Sequence, residues 1–327
     1  MESQWGDGMK DDLSLMGTVL RIERTSIHDG AGLRTVLFLK GCPLQCSWCS
    51  TPESQCRAPE KGYDAGRCMG CGRCVASCPA GALHLSSEVS KVSKVSVDQT
   101  KCSRCFLCVV KCPHRAWKQY GSIMTVEEVI KEISKDEIFF FHSGGGVTVS
   151  GGEALSQVDF TAAVLRACGR RGIPAALETS CYAPWGEMEK ILPFLQNLYV
   201  DLKLMDRDLH QQWVGVDNSL ILDNIRRIDQ SSHPVEIMVR IPLIPGLNDS
   251  DDNLAATGAF CRSLKKLKGI EILPYHRLGK ETYSHLGRDY AFKKLLPPSP
   301  AWILERAGFL AGQKPGVPVY VNGNEVA

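Results

Sequence analysis

Cys42, Cys46 and Cys49 fall in the run Lys40-Gly41-Cys42-Pro43-Leu44-Gln45-Cys46-Ser47-Trp48-Cys49, spaced Cys-x3-Cys-x2-Cys. Three thiols within eight residues can face one object only if the chain loops around it. A [4Fe–4S] cluster held wholly by protein takes four thiolates, so a three-thiolate site leaves one iron open to an outside ligand. The logic is that of a catalytic zinc, which keeps a free position where a structural zinc has none. The bland readings are a zinc site or a coincidence of spacing. Cys56 follows closely enough to be weighed as a fourth ligand that would close the site.

Eight more cysteines repeat one spacing: Cys68-x2-Cys71-x2-Cys74-x3-Cys78-Pro79 and Cys102-x2-Cys105-x2-Cys108-x3-Cys112-Pro113. Paired zinc ligands explain neither the three-residue gap nor the trailing proline. The run resembles that of bacterial ferredoxins with two [4Fe–4S] clusters, where the fourth cysteine of each run serves the other cluster. That likeness assigns Cys68, Cys71, Cys74 and Cys112 to one cluster, and Cys102, Cys105, Cys108 and Cys78 to the other. Of the fifteen cysteines, Cys56, Cys168, Cys181 and Cys261 stand outside these groups. Cys168 and Cys261 lie in helix-like stretches and read as small buried hydrophobes.

Polar residues recur where apolar runs end. Ser143-Gly144-Gly145-Gly146 leads through Val147-Thr148-Val149 to Ser150-Gly151-Gly152-Glu153. No G-x-G-x-x-G opens a helix here, but glycines at a strand end let backbone approach a ligand. Leu177-Glu178-Thr179-Ser180, Val200-Asp201-Leu202-Lys203, Val239-Arg240-Ile241-Pro242 and Leu273-Pro274-Tyr275-His276 follow. Charges after a buried strand often mark only where the chain meets water, and a lone histidine is more often structural than functional. A guanidinium such as Arg240, however, suits a carboxylate or a ribose oxygen. Upstream, Asp29-Gly30-Ala31-Gly32-Leu33-Arg34 reads as a tight, exposed turn that another backbone could approach.

Taken together, these segments resemble the radical S-adenosylmethionine (SAM) enzymes, and among them the activating enzymes of glycyl radical enzymes. The resemblance runs from about Gly17 to His285. It implies that the open iron of the Cys42, Cys46, Cys49 cluster chelates the amino and carboxylate groups of SAM, beside Trp48. It implies SAM contacts from Gly151, Gly152, Glu153, Asp201, Lys203, Arg240 and His276, with Lys203 in the active site. Glu178, Thr179 and Asp201 would hold a monovalent cation, although the pyruvate formate-lyase activase type has aspartate where Glu178 stands. Asp29 and Arg34 belong to the signature that presents the partner's glycine loop, in which many members have proline in place of Ala31. The implied reaction is reductive cleavage of SAM to methionine and a 5′-deoxyadenosyl radical, which takes a Cα hydrogen from a glycine of the partner. The implied cofactors are three [4Fe–4S] clusters, SAM and a monovalent cation. The implied partners are a glycyl radical enzyme and a flavodoxin or ferredoxin whose electrons the insert relays.

These residues need elements to hold them. Leu33 to Lys40 is apolar and β-branched, with the triad at its end. After the second cysteine repeat, Thr125 opens a helix with a capping box to Glu128, and Val126, Val129, Ile130 and Ile133 share a face. Strand-like stretches at 147–149, 174–179, 198–203, 235–241 and 269–273 then alternate with helix-like ones at 156–171, 185–196, 218–230 and 251–267, and a further helix is expected at 299–311. Such alternation predicts parallel βαβ units. The expectation is an α/β fold: a partial (β/α)6 TIM-like barrel, residues 17–53 and 121–327, with chemistry at the C-terminal strand ends. An inserted bacterial-type 2[4Fe–4S] ferredoxin domain would span 54–120.

Composition agrees. The chain has 327 residues, 44% hydrophobic and 23% charged, and a formal charge of +2, which makes no case for nucleic acid or an anionic membrane surface. The N-terminal Met1 to Asp12 shows no secretory pattern, and no apolar run reaches the roughly 18 residues of a membrane span. A cytoplasmic monomer is expected. Two rivals remain at this level. One is a radical SAM peptide or sulfatase maturase, whose auxiliary clusters typically follow the barrel. The other is a multi-cluster electron-transfer protein, which would gain nothing from an open iron.

Overall fold

The computed structural model describes residues 12–85 and 94–326. Residues 1–11 of the stretch read for a secretory signal, and residues 86–93 of the insert, lie outside the described residues. The chain begins with β1 (Met16–Ser26) and β2 (Arg34–Leu39), an antiparallel pair. It then leaves the main sheet for β3 (Glu60–Tyr63), α1 (Arg73–Ala76), β4 (Leu83–Leu85), β5 (Val95–Val97), α2 (Leu107–Val110) and β6 (Trp117–Tyr120). In this excursion β3 pairs with β6 and β4 with β5, and neither pair joins the main sheet.

The return runs through β7 (Ser122–Thr125), α3 (Val126–Ile133), α4 (Glu137–Ser143), β8 (Gly146–Gly151), α5 (Val158–Arg170), β9 (Ala175–Thr179), α6 (Trp185–Ile191) and β10 (Asn197–Asp201). It continues with α7 (Arg207–Val214), α8 (Ser219–Gln230), β11 (Glu236–Leu243), α9 (Asp251–Arg262), β12 (Leu267–Pro274), α10 (Lys280–His285), α11 (Pro300–Gly312), β13 (Val319–Val321) and β14 (Asn324–Glu325).

Ten strands form one sheet in the order β14-β13-β12-β11-β10-β9-β8-β2-β1-β7. All six expected strands are there, side by side and parallel, from β2 through β12. The edges differ from expectation. β13 adds a seventh parallel strand beyond β12, and the antiparallel β1 and β7 extend the other side. β1 carries Arg21, Glu23 and Arg24 in its second half, so its strand character was hidden by charge. The two end strands do not pair, which leaves the barrel open.

Local chemistry explains most boundaries. Thr125 and Glu128 form the capping box, with the Thr125 hydroxyl accepting from the Glu128 N–H at 3.2 Å and the Glu128 carboxylate accepting from the Thr125 N–H at 2.8 Å. Val126, Val129, Ile130 and Ile133 are buried against the sheet, as their spacing requires. The helix expected over 185–196 stops at Ile191, and a short 3₁₀ turn follows at Leu192–Phe194, where Pro193 cannot donate. The helix expected to reach 267 ends at Arg262, because Leu267 already opens β12. Among the described residues five helices were not foreseen: α1 and α2 in the insert, and α4, α7 and α10 outside it. Among the described residues no helix is long and apolar enough to cross a membrane.

The insert has a core of its own made partly of thiols: Cys68, Cys74 and Cys108 pack with Leu83, Val95, Ala116 and Trp117. Its two halves repeat in backbone as well as in sequence. Gly70, Gly72 and Gly81 have φ of 71°, 71° and 58°, and the corresponding Arg104, Phe106 and Arg115 have φ of 54°, 57° and 52°. A left-handed residue other than glycine costs about 1–2 kcal/mol, so the second half holds three strained positions where the first has none.

Lys40 joins the two parts. Its side chain is fully buried, donates to the Glu53 carbonyl and pairs with Glu60 at 3.3 Å, while Arg288 pairs with Glu60 at 2.5 Å and donates to the Pro52 carbonyl at 2.6 Å.

Candidate active site

Besides the bond from Cys49 N–H to the Cys46 carbonyl at 3.0 Å, the triad loop is held by its neighbours. Gly41 N–H donates to the Ser54 carbonyl and Cys42 N–H to that of Gln55, at 2.7 and 3.0 Å. On the far side, Gln45 and Ser47 N–H groups donate to the Val214 and Trp213 carbonyls at the end of α7. Trp48 is buried with Leu44, Leu204, Val214, Ile244 and Tyr275. Helix α7, absent from the sequence reading, is therefore a wall of the site. The charge-rich Asp206 to His210 stretch gave it no apolar signal.

The segment Gly151-Gly152-Glu153 grips the same loop. Gly152 N–H donates to Leu39 and Glu153 N–H to Gly41, at 2.9 and 2.8 Å. A Cβ on Gly152 would lie 2.5 Å from the Gly41 oxygen and 2.9 Å from that of Ser54. Glycine is demanded here because two backbones cross.

One cavity of about 300 Å³ gathers the predicted residues. It is lined by Cys42, Cys46, Cys49, Trp48, Gly151, Gly152, Glu178, Thr179, Asp201, Lys203, Arg240 and His276, drawn from segments some 230 residues apart, and by Ser150, Ser180 and Tyr275, which the sequence reading did not select. The volume is at the lower end for a small-molecule site. Burial pushes the Cys46 thiol up to about 12 and raises Cys42 and Cys49 as well. Free thiols stay protonated there, and a bound metal centre must displace those protons. Among the described residues no three Cys, His, Asp or Glu side chains crowd closely enough to share a single ion. A cluster asks for one thiolate on each of several irons, and Cys42, Cys46 and Cys49 line one hollow together.

Lys203 lies two residues past β10 and donates to Asp201 at 2.6 Å. Burial pulls its pKa down, but the net shift is upward, with the charge and hydrogen bond of Asp201 foremost against burial, so the ammonium persists. Asn248, fully buried, pins this end: its amide donates to the carbonyls of Lys203 and Pro242, both at 2.7 Å. Its loop sequence Pro245-Gly246-Leu247-Asn248 was the only available signal.

Arg240 is not at a strand end as expected but within β11, its Cα in register with Asp201 on one side and Glu271 on the other. Its guanidinium pairs with Glu178 and, at 3.0 Å, with Glu271, donates to the His28 carbonyl at 2.8 Å, and lies 4.4 Å over the Tyr199 ring. Burial pushes the Glu178 carboxyl up to about 7 against the opposing pull of Arg240. Neither Glu271 nor Tyr199 carried a sequence signal, because each sits in a plain strand pattern.

Four expectations change. Glu153 does not line the cavity: its buried carboxylate accepts from Leu155 N–H, Thr179 Oγ1, Ser180 N–H and Ser180 Oγ at 2.6–3.2 Å, and so braces the end of β9. The cation ligands do not converge. Glu178 is taken by Arg240 and Ser150, Thr179 by Glu153, and Asp201 by Lys203. The longer glutamate reaches Arg240, so this donor set does not fit a monovalent cation.

Arg34 is buried beneath the signature turn, donating from Nε to Thr148 Oγ1 at 2.6 Å and also to the Val147 and Ala31 carbonyls. Thr148 in turn donates to the Asp29 carbonyl at 2.7 Å. The turn's glycines are not free for another backbone: a Cβ on Gly32 would lie 2.4 Å from the Gly145 nitrogen, and one on Gly30 would lie 2.6 Å from Arg34. Asp29 is half-buried and bound to Ser26.

The insert separates its thiols as the ferredoxin likeness implies. One hollow is lined by Cys68, Cys71, Cys74 and Cys112, the other by Cys102, Cys105, Cys108 and Cys78. Backbone N–H groups of Ala82 and Ala116 donate to the sulfurs of Cys78 and Cys112, both at 3.3 Å, and Lys61 donates to Cys102 at 3.0 Å. Cys56 lies elsewhere, beside Cys42 and Cys46 on the outer side of the loop and not in the main cavity.

Comparison with known proteins agrees with this geometry. A family model described as the radical SAM superfamily matches residues 99–257, and one for a 4Fe-4S dicluster domain matches 67–116. An isethionate sulfite-lyase activating enzyme of Nitratidesulfovibrio vulgaris is 42% identical over 85% of this chain and 90% of its own length. A (2S)-3-sulfopropanediol dehydratase activating enzyme of Klebsiella oxytoca is 38% identical over 85% and 88%. An indoleacetate decarboxylase activating enzyme of Tractidigestivibacter scatoligenes is 35% identical over 89% and 93%.

Proposed function

The chain belongs to the glycyl radical enzyme activating enzymes of the radical SAM superfamily, and from that premise we propose how its own residues divide the work. Family membership sets aside the maturase and the pure electron carrier. Cys42, Cys46 and Cys49 would hold the cluster to which SAM binds. Cys68, Cys71, Cys74 and Cys112, and Cys102, Cys105, Cys108 and Cys78, would hold two more, for three in all. The first cluster, when bound, would supply the electron for reductive cleavage of SAM, the chemistry by which a glycine Cα hydrogen would be taken from the partner.

The observation that carries this reading is the shared cavity of the triad with Gly151, Gly152, Asp201, Lys203, Arg240 and His276. The Gly151 and Gly152 backbone would face the amino group of SAM, and Glu153 would act through the brace it forms. The paired Lys203 and Asp201 and the guanidinium of Arg240 would orient the polar groups of SAM. Trp48, Leu44, Ile244 and Tyr275 keep water out. The Asp29 to Arg34 turn, clamped by Arg34 and Thr148, would present the partner's glycine.

We divide the chain into a barrel, 17–53 and 121–327, and an insert, 54–120, that passes electrons inward from a flavodoxin or ferredoxin. All fifteen cysteines are unpaired, which suits the reducing cytoplasm, and we take the chain to act as a monomer.

Anaerobic reconstitution with iron and sulfide, followed by dithionite and SAM, should yield 5′-deoxyadenosine and methionine. With the cognate partner added, a glycyl radical signal should appear by electron paramagnetic resonance. A Lys203→Met enzyme that still bound its clusters and formed the radical at the wild-type rate would refute the role given to Lys203.

A further inference from the structure

Most donors to the insert thiols come in matched pairs. Ala82 N–H serves Cys78 and Ala116 N–H serves Cys112, both at 3.3 Å. Gly70 N–H serves Cys68 at 3.4 Å, and the backbone of Arg104, two residues past Cys102, serves that thiol in the same way. Each hollow is also lined by one exposed arginine, Arg73 in the first and Arg104 in the second, and the first adds the exposed His114. One donor breaks the pattern. Lys61 lines the second hollow, and its ammonium donates to Cys102 Sγ at 3.0 Å.

The asymmetry is built into β3. Alternate residues of a strand share a face, so Lys61 and Tyr63 lie together, while Glu60 on the other face meets Lys40 and Arg288. Where Lys61 reaches Cys102, the neutral phenol of Tyr63 lies beside Cys68, the equivalent thiol of the first hollow. Buried Trp117 holds both side chains in place: its ring is 4.6 Å from that of Tyr63 and 5.4 Å from the Lys61 nitrogen.

A cluster's potential follows its charge and the hydrogen bonds to its sulfurs. One electron leaves a reduced carrier and one is gained by the cluster, with no bond made or broken. The added negative charge is stabilised by an ammonium on a ligand sulfur more than by a phenol, because the ammonium's hydrogen bond carries a charge. We propose that Lys61 raises the reduction potential of the cluster held by Cys102, Cys105, Cys108 and Cys78 above that of its neighbour, so that an incoming electron rests there. The inference rests on the three-cluster reading above and adds to it an order between the two insert clusters. Lys61 acts through Cys102 and is a positioning residue for the electron.

The test is an anaerobic redox titration of the reconstituted full chain, with each cluster followed by electron paramagnetic resonance. The signal that changes on adding SAM marks the triad cluster, and the signal altered by Cys105→Ser marks the second insert cluster. In the wild type that second cluster should titrate at the higher potential of the insert pair. Lys61→Met should lower its reduced-to-oxidised ratio about tenfold at a fixed potential, a midpoint about 59 mV lower for one electron, and leave the other insert cluster where it is. Lys61→Arg, which keeps the charge, should stay near the wild type. An unchanged midpoint in Lys61→Met, or an equal fall of both insert clusters, would overturn the proposal. Should Lys61→Met leave the insert short of iron, the order of the two wild-type midpoints decides, and an equal or lower potential for the cluster marked by Cys105 overturns it. Iron for fewer than three clusters in the wild type is a separate result, which refutes the reading beneath the proposal.

Discussion

Glu153 receives four hydrogen bonds, all from donors, and reaches no solvent. A carboxylate can accept all four, but an amide would turn two N–H groups toward other donors. Glu153→Gln should therefore lose about 1–3 kcal/mol of stability, seen as a lower urea midpoint with an unchanged slope. Glu178 makes a different prediction. Its folded pKa of about 7 stands above the ordinary 4.5 because burial disfavours the charge. Between those values the folded chain holds a proton that the unfolded chain has released, so stability falls as pH rises through the window. Relative to Glu178→Gln, the metal-free wild type should lose stability as pH rises from 4.5 towards 7. A difference that stays flat with pH in urea titrations would contradict the assignment. Both acids were visible in the sequence as strand-end charges. Their partners were not, since which side chain a glutamate meets depends on strand register.

At the scale of elements, the strand ends and the triad loop form one structure. The Gly151-Gly152 crossing is so close that Gly152→Ala would drive a methyl into the Gly41 carbonyl. Overpacking of this kind costs about 1–3 kcal/mol, and here the strain falls on the cysteine loop. The variant should fold, yet bind iron at the triad poorly while the two insert clusters form, as read from iron content per chain and cluster paramagnetic resonance. Normal triad occupancy would show that the crossing tolerates a Cβ. The parallel strands and α3 were legible because apolar periodicity and a capping box are local signals. Helix α7, which anchors Gln45 and Ser47, was not, because its sequence is polar and its stability comes from the loop it meets.

For the whole molecule, the insert leaves and rejoins the barrel at one place, since β3 and β6 pair with Glu60 opposite Tyr120. An excursion of that shape disturbs its host little. The joint is electrostatic: buried Lys40 meets half-buried Glu60, which also pairs with half-buried Arg288, between the parts. Removing Lys40 leaves Glu60 paired with Arg288 but takes the donor from the buried Glu53 carbonyl, which costs about 1–3 kcal/mol. Lys40→Met should therefore lower stability by about that amount and speed proteolysis between 54 and 120. The double variant Lys40→Met, Glu60→Gln should lose less than its two single variants together, and a fully additive loss would argue against the coupling.

The sequence by itself determined the thiolate chemistry, the two-cluster insert, the six parallel strands and the family. The first three rest on spacing or periodicity, which the covalent chain carries, and the family on the resemblance of its motifs. Only the tertiary structure decided that Glu153 braces a strand end, that Arg34 and the glycines of the Asp29 to Arg34 turn pack inward, and that Glu178 answers Arg240 and not a cation. Those outcomes depend on which side chains lie opposite one another across strands distant in sequence. Register and burial set that, and neither is written in any local stretch of residues.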